Sequence, residues 1–193
     1  MKTINKAYGS CVYIHIKDRI TIQDLLYGLM LRSGNDCALM LAKSVGGSVE
    51  RFVEMMNEKA RDIGMKQTHF SNPSGLDEED EGNLSTVKEM AILYRYCCQN
   101  PLFNQIVKTK EYKRLDGKGY WHNKNRLLKE YPYCLPTYGL YSQSSSYIVS
   151  HNPYGKPRVL SSGYSGEYNQ YISSTALRYL FLPKRKDRHY RTH

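Results

Sequence analysis

Thr21-Ile-Gln-Asp-Leu-Leu-Tyr-Gly-Leu-Met-Leu-Arg-Ser-Gly-Asn-Asp-Cys-Ala-Leu-Met-Leu-Ala42 is the stretch on which the reading of this chain turns. Thr21 and Asp24 have the spacing of a capping box, with Asp in place of the usual Glu or Gln, so a helix starts here. Ile22, Leu25, Leu26, Leu29 and Met30 recur at intervals of three and four and give that helix one broad apolar face. Ser33-Gly34-Asn35 breaks the pattern, and Asp36 opens a second helix through Ala38, Leu41, Ala42 and Val45 that ends at Gly46-Gly47. Taken alone, the three break residues need no function. Glycine turns the chain, and Ser and Asn satisfy backbone groups at helix ends.

Upstream, Cys11-Val-Tyr-Ile-His-Ile16 reads as a short strand followed by a turn at Lys17-Asp18-Arg19. Downstream, Ser48 caps a third helix carrying Val49, Phe52, Val53, Met56, Ala60 and Ile63, with Gly64 as its stop. Residues 68–72 are extended, Asn72-Pro-Ser-Gly75 is turn chemistry, and Asp77 to Glu81 form a solvated acidic loop. Thr86-Val-Lys-Glu89 is a second capping box, and Asn100-Pro101 stops the helix it opens and starts a short one to Val107. Residues 109–123 read as a hairpin turning at Asp116-Gly117. Helices and short strands thus alternate irregularly, an α+β pattern.

The composition breaks near Cys134. Up to that residue 20 basic and 16 acidic side chains nearly balance, whereas residues 135–193 hold eight basic side chains against only Glu167 and Asp187. The same segment carries nine of the eighteen tyrosines, four prolines and no sustained period; only Ile172 to Leu182 is apolar enough to suggest a helix. The formal charge of +10 therefore sits mostly in the tail, which removes the main argument for a nucleic-acid partner. No apolar run approaches the roughly 18 residues of a membrane span. Five cysteines without C-x-x-C spacing read as thiols, not as a disulfide framework or a metal site. Neither cofactor nor metal is expected. His69, Trp121-His122 and the pair His189 and His193 read as packing or end residues.

The flanks of Ser33-Gly34-Asn35 give that motif its meaning. Thr21 to Ala42 resembles a segment of the D-alanyl-D-alanine carboxypeptidases, low-molecular-mass penicillin-binding proteins that trim peptidoglycan stem peptides. The likeness continues through Gly46-Gly-Ser-Val-Glu-Arg-Phe-Val53, Thr68-His-Phe-Ser-Asn-Pro-Ser-Gly-Leu-Asp77, Ser85-Thr86 and Asn123-Lys-Asn-Arg-Leu-Leu128, in order and with natural spacing. It implies a β-lactamase/penicillin-binding-protein transpeptidase-like fold. It also implies serine chemistry on three motifs, Ser-x-x-Lys, Ser-x-Asn and Lys-Thr-Gly. On this resemblance Ser33 relays a proton toward the leaving amine, Asn35 holds a substrate amide, and Gly34 lets the backbone approach. The implied partners are the peptidoglycan pentapeptide stem and β-lactam antibiotics. The implied place of action is outside the cytoplasmic membrane.

The departures matter as much. The family's nucleophile motif lies upstream of residue 11 and does not occur here. Ser85-Thr-Val-Lys88 is the sequence's only Ser-x-x-Lys, but it follows Ser-x-Asn instead of preceding it, and it stands where a capping serine belongs. Lys-Thr-Gly is absent. The expectation is a fragment of the fold, a helical region plus an incomplete antiparallel sheet. It divides into a partial catalytic domain over 1–133 and an unmatched, poorly ordered or out-of-frame tail over 134–193. The expected function is a D-Ala-D-Ala carboxypeptidase present as an inactive copy, without a signal peptide and so cytoplasmic if expressed. The alternative is a non-catalytic basic module that binds nucleic acid or an anionic wall polymer through residues 154–193. A related β-lactamase fits the text around Ser33 less well.

Overall fold

The structure is a computed structural model. It describes residues 7–76 and 82–125 with Leu128, together with the backbone of 138–141, 146–151, 157–161 and 170–171. Helix α1 (Ile22–Arg32) begins as the sequence requires. Asp24 N–H donates to Thr21 Oγ1 at 3.1 Å, and the Asp24 carboxylate accepts Thr21 N–H at 3.0 Å. The other oxygen of the Asp24 carboxylate is engaged elsewhere, accepting Tyr112 O–H at 2.9 Å and Leu115 N–H at 3.0 Å. One buried carboxylate thus caps α1 and ties it to the later hairpin.

Helix α2 (Asn35–Gly46) packs against α1, and α3 (Val49–Asp62) packs against α2. On α3 the residues Phe52, Met56 and Ala60, four apart, are all at most 1% exposed, so the 3.6-residue period aims one stripe into the core. Helices α4 (Val87–Cys97) and α5 (Pro101–Lys108) meet edge-on through Tyr94 and Phe103, ring centroids 5.9 Å apart. Strand β1 is Leu84–Ser85, and β2 (Glu111–Lys113) and β3 (Tyr120–His122) form an antiparallel hairpin in which Tyr112 faces Trp121. The hairpin closes over α1 by stacking Tyr112 on Tyr27, centroids 3.8 Å apart. At its tip Arg114 is paired with Asp18 and Asp116 and lies 5.4 Å over the Trp121 ring, while Lys118 pairs with Asp18. No helix among the described residues is long and apolar enough to cross a membrane.

Three expectations change. Residues 11–16 are not a strand: Val12 and Ile14 turn inward because their amides bond a carboxylate on α2, while Tyr13 takes φ +58° and stays exposed. That anchoring, not a sheet ladder, produces the alternation. Thr86 caps α4, but the Glu89 carboxylate turns away to accept Gln67 N–H and Thr68 O–H, so the second capping box is only half formed. Beyond Cys134, where no alternation is legible, strands β4 (Tyr138–Tyr141), β5 (Ser146–His151) and β6 (Pro157–Ser161) form an antiparallel sheet, and β7 (Gln170–Tyr171) pairs with β1. Strand propensity in the unbroken run Tyr147-Ile148-Val149 stands in for periodicity there. The α+β class holds, with helices and small antiparallel sheets. The acidic loop 77–81 and the helix suggested for 172–182 lie outside the described residues.

Candidate functional site

The site is built around the end of α1 and the first turn of α2. Ser33 closes α1 in the left-handed conformation (φ 57°, ψ 40°), its N–H bonded to the Gly28 carbonyl, which Gly34 N–H also reaches at 3.3 Å. A non-glycine residue held there costs on the order of 1 kcal/mol or more. The simple reading of the motif, in which glycine turns the chain, is therefore wrong. Gly34 has φ −68° and ψ 109°, which any residue adopts. It is glycine because a Cβ would stand 3.1 Å from both Asp36 Oδ1 and Cys37 Sγ and 3.3 Å from the Gly28 carbonyl. The strained position carries the hydroxyl, and the unstrained one carries nothing.

Asn35 is 7% exposed and fixed twice. Its backbone N–H donates to the Ser10 carbonyl at 2.7 Å, and its side-chain Nδ2 donates to the Tyr8 carbonyl at 2.7 Å. Because the amide nitrogen is committed to Tyr8, the orientation of the side chain is set and Oδ1 remains as its acceptor. Gly9 lies between these contacts at φ +77°, and a Cβ there would come 3.1 Å from Asn35 Nδ2 and 3.4 Å from Leu76. Glycine is needed here on both counts.

Asp36 completes the strap. Its carboxylate accepts Val12 N–H and Ile14 N–H, both at 3.1 Å, and Cys37 N–H at 3.0 Å, in the first turn of α2 where negative charge is favoured. Residues 8–14 are thus held on the start of α2 by two consecutive side chains, and that segment in turn orients Asn35. Sequence reading missed the strap. Its one legible sign was an acidic residue directly behind the motif, in a helix first turn.

Two cations stand at the same end of α1. Lys124 donates its backbone N–H to the Leu31 carbonyl at 3.0 Å, and its ammonium donates to Ser10 Oγ at 3.3 Å. Arg32 reaches the His122 carbonyl at 3.5 Å. Partial burial and the charge of Arg32 lower the pKa of Lys124 below the usual lysine value. Gly28, also missed in the sequence, lets these pieces converge, since a Cβ there would be 2.7 Å from Cys37 Sγ and 2.9 Å from the Trp121 ring.

Other candidates resolve into structure. Ser85 is 6% exposed and bonds Thr68 Oγ1 at 2.7 Å, which donates to Glu89 at 2.5 Å, so the serine of the lone Ser-x-x-Lys sits in a buried hydroxyl–carboxylate chain. His69 pairs its backbone with Leu84, and Trp121 is buried under the hairpin while His122 pairs with Glu111. Burial pushes the Cys97 thiol up, and the Cys98 thiol up to about 11. Among the described residues no group of His, Cys, Asp and Glu could hold a metal ion. His189 and His193 lie outside them.

Comparison with known proteins follows the same lines. A family profile described as D-alanyl-D-alanine carboxypeptidase matches residues 1–137. The chain is 37% identical over 127 residues to D-alanyl-D-alanine carboxypeptidase DacF of Bacillus subtilis, covering 64% of this chain and 32% of that protein. It is 33% identical over 151 residues to a D-alanyl-D-alanine carboxypeptidase of a Streptomyces species, covering 67% and 51%. The chain thus spans between a third and about half of these relatives. Among solved structures it resembles a D-alanyl-D-alanine carboxypeptidase of Mycobacterium tuberculosis, with TM-score 0.72 and 28% identity over 92% of this chain and 69% of that one. It also resembles penicillin binding protein 6B of Escherichia coli, with TM-score 0.68 and 25% identity over 91% and 55%.

Proposed function

The chain belongs to the D-alanyl-D-alanine carboxypeptidase family, and from that membership we propose that it carries the substrate-holding turn of a serine-type D-Ala-D-Ala carboxypeptidase. The reaction is removal of the terminal D-Ala from peptidoglycan stem peptides, outside the cytoplasmic membrane. Ser33 relays a proton toward the leaving amine, Asn35 Oδ1 accepts a substrate amide N–H, and Gly34 leaves the backbone open to close approach. The pentapeptide stem and β-lactams are the ligands. The division proposed is a catalytic part over 1–133 and a tail over 134–193, and the family profile, which ends at residue 137, leaves nearly all of that tail unmatched.

The observation that carries this reading is Ser33. A turn chosen only to join α1 and α2 would place glycine at the left-handed position, and this one accepts strain there to present a hydroxyl beside an oriented amide. These 193 residues do not by themselves open a peptide bond, because proton relay and amide binding need a nucleophile to serve and Ser85 is buried. No finding favours a nucleic-acid or wall-polymer module.

The test is a chimera in which residues 8–125 replace the matching part of the Bacillus subtilis relative. It should release D-Ala from an acyl-D-Ala-D-Ala peptide, and Ser33→Ala or Asn35→Ala within it should lower kcat/KM by about 100-fold or more. Activity unchanged by both substitutions overturns the assigned roles.

A further inference from the structure

We propose that the end of the molecule formed by the start of α1 and the tip of the β2–β3 hairpin is a docking surface for an anionic lipid bilayer. Two turns meet there. In the first, Asp18 N–H donates to the His15 carbonyl at 2.9 Å, which puts Ile16 and Lys17 at the corner. In the second, Gly117 N–H donates to the Arg114 carbonyl at 3.1 Å, which puts Leu115 and Asp116 at the corner. The Asp18 carboxylate ties the two turns together by pairing with Arg114 and Lys118. Leu115 N–H bonds the Asp24 carboxylate, which also accepts Thr21 N–H, so Ile22 stands at the same end.

Ile16 and Leu115 are each 60% exposed, and Ile22 is 42% exposed. A single exposed aliphatic side chain is ordinary on any surface. Turn corners, however, favour Gly, Pro, Asn, Asp and Ser, so turn chemistry gives no reason for Ile and Leu at two neighbouring corners. Ile22 belongs by spacing to the apolar face of α1, yet it is left out of the core.

The charges at this end are sorted by sign. The carboxylates turn inward: the side chains of Asp18 and Asp116 are 1% and 7% exposed, and Asp24 is buried. Among residues 15–23 and 113–120 the exposed charged ones are Lys17, Arg19, Lys113 and Lys118, every one basic. Aliphatic prongs ringed by outward cations match an anionic bilayer, where head groups take the cations and the acyl boundary takes the prongs. A polyanion dissolved in water would use the cations and leave Ile16, Ile22 and Leu115 without a partner. Helix α1 has 11 residues, so the Ser33–Asn35 turn lies about 16 Å along it from this end, and docking here leaves that turn open.

The experiment is co-sedimentation of the full chain with phosphatidylcholine vesicles, with and without an equal part of phosphatidylglycerol. The chain should bind the mixed vesicles about tenfold more tightly than the neutral ones, and less tightly as salt rises. Ile16→Ser combined with Leu115→Ser should lower partitioning onto the mixed vesicles about tenfold, with urea unfolding followed through Trp121 unchanged. In Leu115→Trp the new indole should be quenched by bromine-labelled lipid, whereas Trp121 of the unaltered chain, buried under the hairpin, should not. No partitioning onto the mixed vesicles overturns the proposal. Partitioning undiminished by the double serine variant assigns binding to the basic segment 154–193 and overturns it too. So does an indole at position 115 that the brominated lipid leaves unquenched, or soluble polyphosphate bound where vesicles are not.

Discussion

Asp36→Ala should detach the strap that orients Asn35. The carboxylate accepts three backbone N–H groups, from Val12, Ile14 and Cys37, in the first turn of a helix. Ile14 is 5% exposed, so its amide loses its acceptor without gaining water, a penalty of ~1–3 kcal/mol. Val12 is only partly buried and rehydrates. Removing a negative charge from a helix N-terminus takes away about 0.5 kcal/mol more. The expected loss is about 3 kcal/mol, a large share of the ~5–15 kcal/mol that holds a domain of this size. Urea unfolding followed through the single tryptophan, Trp121, which is 8% exposed under the hairpin, reads the global effect. Amide exchange at Val12 and Ile14 reads the local one, and Asp36→Asn, which keeps one acceptor oxygen, gives an intermediate value should the alanine variant fail to fold. The reasoning is refuted if Asp36→Asn shifts stability by less than about 0.5 kcal/mol and leaves Ile14 exchange unchanged.

Gly28→Ala forces a methyl to 2.7 Å from Cys37 Sγ and 2.9 Å from the Trp121 ring, and should destabilise by ~1–3 kcal/mol in urea unfolding. Adding Cys37→Ala should recover part of that loss, and strict additivity of the two changes would contradict the packing account. The Lys118 ammonium and His15 N–H hold Asp18 well below the usual carboxylate range against the opposing effect of burial. At Asp24 burial pushes upward, but Leu115 N–H and the Thr21 hydroxyl outweigh it and leave the pKa lowered. Both depressed groups stabilise the fold fully above the unfolded carboxyl pKa near ~4, and the contribution drains away as pH falls from there toward the folded values. Urea midpoints should hold between about pH 7 and 5 and decline below about pH 4, less steeply in Asp18→Asn; an identical decline in that variant sinks the assignment. A fluorescent penicillin should leave these 193 residues unlabelled, and an acylated serine, Ser85 included, would reverse the expectation of inactivity.

Local signals in the sequence predicted local structure well. Thr21 with Asp24, Ser48, Thr86 and Asn100 each cap the helix their spacing predicts, because capping depends on residues within one turn. Where a side chain bonds a distant backbone, local rules fail. The alternation of 11–16 imitates a strand because Asp36 collects every second amide from 22 and 24 residues away. Glu89 abandons a local cap for Gln67 and Thr68, again a long-range acceptor. The same holds at the site. Ser33, Gly34 and Asn35 are proposed as site residues from the family resemblance, but the local geometry of each was not legible in the sequence. Which residue takes the left-handed turn, and which one lacks a Cβ for want of room, depends on Gly28 and Cys37 meeting across two helices. Lys124 becomes interesting only once the hairpin brings it back to α1.

The central claim is that the turn between α1 and α2, oriented by residues 8–14, binds a D-Ala-D-Ala terminus. Amide chemical-shift mapping of the full chain with an acetylated D-Ala-D-Ala peptide tests it most directly. The account predicts saturable shifts centred on Ser33, Gly34 and Asn35 and extending to Gly9 and Ser10, abolished by Asn35→Ala and not produced by the L-Ala-L-Ala peptide. Shifts that centre on Ser85 instead, or that appear equally with both peptides, would contradict it.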